Sequence, residues 1–217
     1  GMDLGSGQIR FRMRWSLPFT GPSTPWGRKL VAAAGRTDKA LVVAADAHTG
    51  ALAWSRQLGV GPPSPPVVAG GRLLVVSRAE EEARLICLGR SGELFWERPL
   101  HLGAGAVSLH PMSRAVLASS STGAAALVTL DGAQQWRVGS SGAELPARVS
   151  ACHARGVVLV PGELTRALEP RGGHVLAEVR TGIGLVDLAV DARLNLYALD
   201  EDGTLTAYRL VTALAVV

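Results

Sequence analysis

Ala44-Ala45-Asp46-Ala47-His48-Thr49-Gly50-Ala51-Leu52-Ala53-Trp54 is the stretch from which the rest of this chain is read. It has the form A-x-D-x-x-T-G-x-x-x-W. Shorter copies follow at Ser91-Gly92-Glu93-Leu94-Phe95-Trp96 and Asp131-Gly132-Ala133-Gln134-Gln135-Trp136. A fourth, Gly172-Gly173-His174-Val175-Leu176-Ala177, has Ala in the Trp place. Trp15 is taken to begin the series, so that successive positions lie 39, 42, 40 and 41 residues apart.

A period near forty in a strand-rich chain signals propeller blades. Between Trp positions a Pro/Gly/Ser stretch leads into short β-type runs separated by turns. In the second unit these runs are Pro65–Ala69, Arg72–Ser77, Arg84–Leu88 and a fourth opening at Glu93, with a turn at Ala79–Glu82. Four strands and three turns make one blade. The other units align: Lys29–Ala34 and Ala40–Ala45; Ala104–Leu109, Arg114–Ser119 and Ala124–Leu130; Ala147–Cys152, Val157–Val160 and Leu164–Leu168; Leu185–Val190, Leu194–Asp200 and Thr204–Leu210. The fifth unit lacks a fourth strand, and the N-terminus holds an orphan at Gln8–Trp15. Pairing Ile9–Trp15 with Thr204–Leu210 closes the ring and removes open edges. The expectation is an all-β fold, a β-propeller of five four-stranded blades closed by the N-terminal strand. It forms a single domain over 3–217, with Gly1-Met2 a cloning remnant. The alternative is a fragment of a seven- or eight-bladed propeller.

Composition suits this. Of 217 residues 47% are hydrophobic and 18% charged, enough for a buried core. No run reaches the eighteen or so apolar residues of a membrane span. The net charge of +4 comes without runs of Lys or Arg, which argues against nucleic acid as partner. Cys87 and Cys152 are too few and too far apart for a disulfide framework. Cys87, inside an apolar run, is expected as a buried free thiol.

The motif at Ala44–Trp54 resembles the tryptophan-docking motif of pyrroloquinoline-quinone-type (PQQ-like) repeat propellers. The match is full at Ala44, Asp46, Thr49, Gly50 and Trp54, and partial at Gly92, Trp96, Gly132 and Trp136. The resemblance implies that each Trp packs on the Gly peptide of the next blade. That Gly carries no Cβ because the indole lies flat on the backbone. The family's quinone-dependent dehydrogenases have eight blades, a Ca²⁺ held by Glu, Asn and Asp, and adjacent cysteines. This chain has no adjacent cysteines and a single Asn, Asn195. The expectation is therefore the non-enzymatic branch, with no cofactor and no metal. Members of that kind include the repeat lipoprotein of the outer-membrane barrel-assembly machinery, and sensor or scaffold domains.

Other chemistry finds little support. Asp187 and Glu163 are candidate channel carboxylates for a glycosidase-like pair. The first strands of the other units are nearly bare of acids, and Asp187 reads equally as a channel-lining residue. Glu80–Glu82 and Asp200–Asp202 read as solvated turns, lacking the ligand alternation of a Ca²⁺ loop. His110 and His153 end first strands of adjacent units, and ordinary turn histidines are the plainer reading. No Ser/His/Asp set or phosphate-binding loop occurs. The expected function is a non-catalytic protein-binding scaffold or sensor, monomeric, not membrane-inserted, and periplasmic or in the cell envelope. The alternative is a central-channel small-ligand binder or hydrolase-type enzyme. The candidate binding residues are Arg28, Arg72, Arg114, Arg155 and Arg193, one per unit at the first turn, with Lys29 adding charge. Placed equivalently in a ring, they would form a basic mouth. Arg in that position serves equally as a solvated turn residue.

Overall fold

Runs such as Lys29–Arg36, Lys39–Asp46 and Arg72–Ala79 are rich in Val, Leu and Ala and bounded by Gly or charged turns, so each folds back on the last as a hairpin. The computed structural model describes residues 11–12, 14–79, 82–103, 105–140, 151–154, 156–182, 184–191 and 193–209. All regular structure among them is antiparallel β, and within each sheet the strands lie in chain order.

The first sheet contains β1 (Thr24–Trp26), β2 (Lys29–Arg36), β3 (Lys39–Asp46) and β4 (Leu52–Gly59). The second contains β5 (Val67–Ala69), β6 (Arg72–Ala79), β7 (Glu82–Leu88) and β8 (Leu94–Pro99). The third contains β9 (Val107–Pro111), β10 (Ala115–Ser120), β11 (Ala125–Thr129) and β12 (Gln134–Val138). The fourth contains β13 (Cys152–Ala154), β14 (Val157–Val160), β15 (Leu164–Leu168) and β16 (Val175–Arg180). Three strands make the fifth: β17 (Leu185–Val190), β18 (Asn195–Asp200) and β19 (Leu205–Arg209).

One irregularity recurs. The register shifts where β3 meets β4, β7 meets β8, β11 meets β12 and β15 meets β16. Ala44 faces Trp54 but Ala45 faces Leu52; Cys87 faces Trp96 but Leu88 faces Leu94. Leu127 and Val128 face Trp136 and Gln134 in the same way, and Ala167 and Leu168 face Ala177 and Val175. Each shift is a bulge that leaves one residue of the last strand unpaired: Ala53, Phe95, Gln135 or Leu176. A bulge twists a strand and re-aims its side chains. It explains why apolar Phe95 and Leu176 stand about half exposed beside the Trp position.

Contacts divide the chain into two compact units. One holds the first two sheets and the turn Leu130–Gly132. Its core joins Val31, Ala33, Val42 and Ala44 of the first sheet to Leu73, Val75, Ile86 and Leu88 of the second. The opposite face of the first sheet packs Ala34, Leu41 and Val43 under Leu17 and Trp15. With both faces covered, β3 is buried from Ala40 to Ala45 and reads as a continuous apolar run. The other unit holds the remaining sheets. Ala115, Leu117, Ala125, Leu127 and Trp136 pack against Val158, Val160 and Leu168, and Val157, Leu159 and Ala167 pack against Leu185, Leu188 and Leu196. Burying each of the Val, Leu and Ile side chains contributes about 1.5–3 kcal/mol.

Several expectations shift. Trp15 does not begin the series: Phe11 lies against Gly50, where its ring leaves no room for a Cβ. Trp15 instead packs beside Leu17. The outer residues of the expected turn at Ala79–Glu82 belong instead to the ladder as an Ala79↔Glu82 pair, and 80–81 lie outside the described residues. The first sheet has a first strand that periodicity did not reveal, extended by a bridge from Phe19 to Ala34. In the third sheet the first strand begins at Val107, with Gly105 and Ala106 outside it; in the fourth it is described from Cys152, Ala151 stands outside it, and the rest of the expected run at 147–150 lies outside the described residues. Ile9, Arg10, Met13 and Leu210 lie outside the described residues; Phe11, Arg12, Arg14 and Trp15 are described and belong to no strand, and the fifth sheet has three strands there, so the expected closing pair is not shown.

Candidate functional site

The side chains with chemical potential gather in the turns. In the turn after β3, Asp46 Oδ1 accepts the backbone amides of His48 and Thr49, both at 2.9 Å, and the Thr49 hydroxyl at 3.1 Å. The Thr49 and His48 amides, in that order, hold the Asp46 carboxyl below its ordinary value. Gly50 closes the turn with φ near +75°, a conformation that costs glycine little. The shorter copies close differently. Glu93 accepts the hydroxyl and amide of Ser91; Glu169 accepts the amides of Arg171 and Gly172. These carboxyls too sit below their ordinary values, for Glu93 through the Ser91 hydroxyl first and for Glu169 through the Arg171 amide first.

The Gly50 turn receives the Phe11 ring, and the turns at Gly92, Gly132 and Gly173 each receive the indole of the sheet before. Trp54 Nε1 donates to Arg90 O at 2.9 Å, and a Cβ on Gly92 would meet its ring at 2.9 Å. Trp96 Nε1 donates to Leu130 O at 2.9 Å, its ring 3.1 Å from the same point on Gly132. Trp136 Nε1 donates to Pro170 O at 2.8 Å, its ring 2.7 Å from that point on Gly173. Trp136 is buried and the other two half-buried. Two joints carry a second donor. Lys29 Nζ reaches Arg90 O at 2.5 Å and Arg72 Nη1 reaches Leu130 O at 2.5 Å. The same carbonyl thus accepts an indole and a cation. Arg72 also lies over the Phe95 ring, 5.0 Å from its centre.

The strand pairing decides the fate of the five Arg. Trp26 pairs with Lys29, and Ala69 with Arg72, across their turns. Met112 N donates to Ala115 O at the corresponding place in the third sheet. Lys29, Arg72 and Ala115 are therefore equivalent, while Arg28 and Arg114 are turn residues one step earlier. Arg193 sits in a three-residue loop closed by Asp191, whose Oδ1 accepts the amides of Arg193 and Asn195. The Arg residues do not share one position, because the first turns differ in length and register. Arg28, Arg114 and Arg193 are exposed, Arg72 is half-buried in its joint, and Arg155 lies outside the described residues. Lys29, expected to add surface charge, is instead a joint residue.

Arg28, Ala47 and His48 line an open cavity of about 400 Å³. Ala47 N donates to Arg28 O at 2.7 Å, which ties the first and third turns of that sheet together. Arg28 Nη2 stands 3.9 Å from Asp46 Oδ2.

The candidate carboxylates fare differently. Asp187 is exposed and accepts the amide of Leu188; Glu163 lends its backbone carbonyl to Thr181 and Gly182. Cys87 is a buried free thiol, and burial pushes its pKa up. Among the described residues no three of His, Cys, Asp and Glu could share a metal ion, and no helix is long and apolar enough to cross a membrane. Sequence reading missed Arg166, which is buried and donates to the carbonyls of Gly123 and Gly139 at 2.6 and 2.5 Å. A lone Arg within the run Leu164–Leu168 was the available signal.

Residues 38–182 match the family described as the outer membrane protein assembly factor BamB. The crystal structure of BamB from Moraxella catarrhalis is similar with a TM-score of 0.73 at 15% identity, over 95% of this chain and 66% of that one. The computationally designed Ika8 protein is similar with a TM-score of 0.70 at 12% identity, over 87% of this chain and 57% of that one. The chain thus spans just under two thirds of the first and somewhat less of the second. At these identities the likeness is one of fold. No curated protein sequence matches the chain.

Proposed function

The chain belongs to the family of the outer membrane protein assembly factor BamB, within the PQQ-like repeat β-propellers, and we propose that it works as a non-catalytic scaffold that binds a protein partner. The observation that carries this reading is the joint chemistry. Indoles and cations of one sheet are committed to turn carbonyls of the next, which makes a stiff array of short turns. A stiff array with exposed turn tips suits recognition, because little ordering cost falls on binding.

On this reading residues 3–217 form one domain of five blades, the N-terminal strand completing the sheet of β17, β18 and β19. The indole contacts dock blade to blade. The exposed first-turn residues Arg28, Arg114 and Arg193, with Arg155, supply charge for the partner, and Arg72 serves the joint. The family's description favours the cell envelope as the place of action, and the proposed state is a monomer.

The test is complex formation. The purified chain, run by size exclusion with light scattering, should be monomeric and should carry an envelope protein in fixed stoichiometry after mixing with an envelope extract. Turnover of aryl glycosides or esters, or quinone-dependent oxidation, above that of heat-denatured protein would refute the non-catalytic reading. Fractionation that places the mature protein in the cytoplasm would refute the location.

A further inference from the structure

Arg28 differs from Lys29, Arg56, Arg72 and Arg84 of the first two sheets. Lys29, Arg56 and Arg72 each donate to a backbone carbonyl, and Arg84 to the Glu97 carboxylate at 2.9 Å. The Arg28 side chain is 89% exposed, and its neighbour Asp46 Oδ2 at 3.9 Å is beyond hydrogen-bonding range. Asp46 is held back because its other oxygen already accepts two amides and a hydroxyl. The guanidinium therefore stands beside a fixed, committed carboxylate and faces a cavity of about 400 Å³ shared with Ala47 and His48. That volume falls within the range of small-ligand and side-chain sites. The Arg28 carbonyl, latched to Ala47 N at 2.7 Å, keeps the cavity's two walls in place whatever the side chain does.

We propose that this cavity binds a side-chain carboxylate from an acidic segment of a partner protein, with Arg28 as the anchoring donor. The proposal rests on the scaffold reading and names its recognition chemistry. A guanidinium presents parallel N–H donors that match a carboxylate's two oxygens. Ala47 offers a methyl group to the methylenes of a Glu side chain. Charge decides between anions: Asp46 offsets part of the field of Arg28, so a single negative charge fits better than a phosphate dianion. Exposure makes the attraction screenable, so affinity falls as salt rises.

The test uses the full chain and a fluorescein-labelled, Glu-rich ten-residue peptide, read by anisotropy at low and moderate salt. Wild type should bind in the micromolar range at low salt. Arg28→Gln should bind about tenfold more weakly, the loss of one charge-assisted pair. Arg28→Lys, which keeps the charge but not the fork, should fall between them, and Arg36→Gln, exposed at the opposite end of β2, should match wild type. A thermal melt of Arg28→Gln overlying that of wild type confirms the fold. No wild-type binding at low salt, equal binding by Arg28→Gln, or tighter binding of a phosphoserine version of the peptide would each overturn the proposal. If Arg28→Gln still forms the envelope complex while the peptide fails to bind, the cavity falls and the scaffold stands. If the peptide binds through Arg28 but no partner complex forms, the scaffold falls and the cavity stands.

Discussion

Replacing Gly92 by Ala tests whether indole contacts hold adjacent sheets. Two costs arise there. Gly92 has φ near +84°, and an L-residue in that region loses about 1–2 kcal/mol. The added methyl would also lie 2.9 Å from Cδ2 and Cε3 of Trp54, closer than carbon atoms tolerate. The turn is backbone, so the ring must retreat. Retreat stretches the 2.9 Å bond from Trp54 Nε1 to Arg90 O, worth about 1 kcal/mol net, and removes ring–backbone dispersion worth about as much again. The total is about 3–4 kcal/mol. Gly71, in the same sheet, has φ near +76°, and a methyl added there would meet nothing within 4 Å, so Gly71→Ala incurs the conformational cost alone. The difference, about 2 kcal/mol, isolates the contact. Urea unfolding of both variants with equal m-values measures it, and it corresponds to a Tm gap of roughly 4–8 °C. In a Trp54→Ala background the excess at Gly92 should vanish. Equal costs at Gly71 and Gly92, or an excess that survives loss of the indole, would refute the reasoning.

The other predictions use the same unfolding assay. Arg72→Met should cost about 1–2 kcal/mol through the lost bond to Leu130 O and the Phe95 contact, whereas Arg28→Met should stay within about 0.5 kcal/mol, as exposed sites do. Trp136→Ala, at the buried joint, should cost about 3–5 kcal/mol, and a cost below that of Trp54→Ala would contradict its burial. Asp46, Glu93, Glu169, Asp191 and Asp202 are all held below their ordinary values, 3.8 for Asp and 4.5 for Glu. Their stabilisation is present above those values and lost as pH falls through the lower folded ones; the urea midpoint should therefore drop from pH 6 to pH 3, less steeply in Asp46→Asn. Removing residues 1–16 should lower Tm far more than removing residues 80–81; an equal effect would sink the closed-ring reading.

Much of the fold was legible because both of its signals are local. Strand lengths follow from apolar runs bounded by Gly or charge, and four of the five sheets repeat the same hairpin order. Trp54, Trp96 and Trp136 mark the repeat because each needs a glycine, 38, 36 and 37 residues further on, that can accept a flat ring. Phe11 was not legible as a member of the series because the ring at Gly50 differs in type and Trp15 offers a more familiar residue at a plausible spacing. Strand ends were least legible in the first strands, where β1 is three residues long between Pro- and Gly-rich stretches and β9 begins only at Val107 after Gly103 and Gly105, so no apolar run marks where pairing starts.

The binding residues were less legible for a reason of register. Counting Arg along the chain places Arg28 and Arg72 together, but a turn position is defined by which residues pair across it. The ladder aligns Arg72 with Lys29, so one of the candidates is a joint residue and its true counterpart was read as surface charge. The fourth sheet separates backbone from side chain in the same way. Its bulge persists at Leu176, although Ala177 stands where the other sheets have Trp. The bulge is therefore a property of the hairpin that aims whatever side chain follows it, and not a consequence of the indole. By the same logic the carbonyl that accepts an indole and a cation in two joints accepts, among the described residues, an indole alone where Ala115 replaces the cation. Backbone geometry supplies the acceptor at each of these joints, and sequence decides how many donors reach it. The proposed partner contact draws on the side chains that this geometry leaves exposed, Arg28 among them.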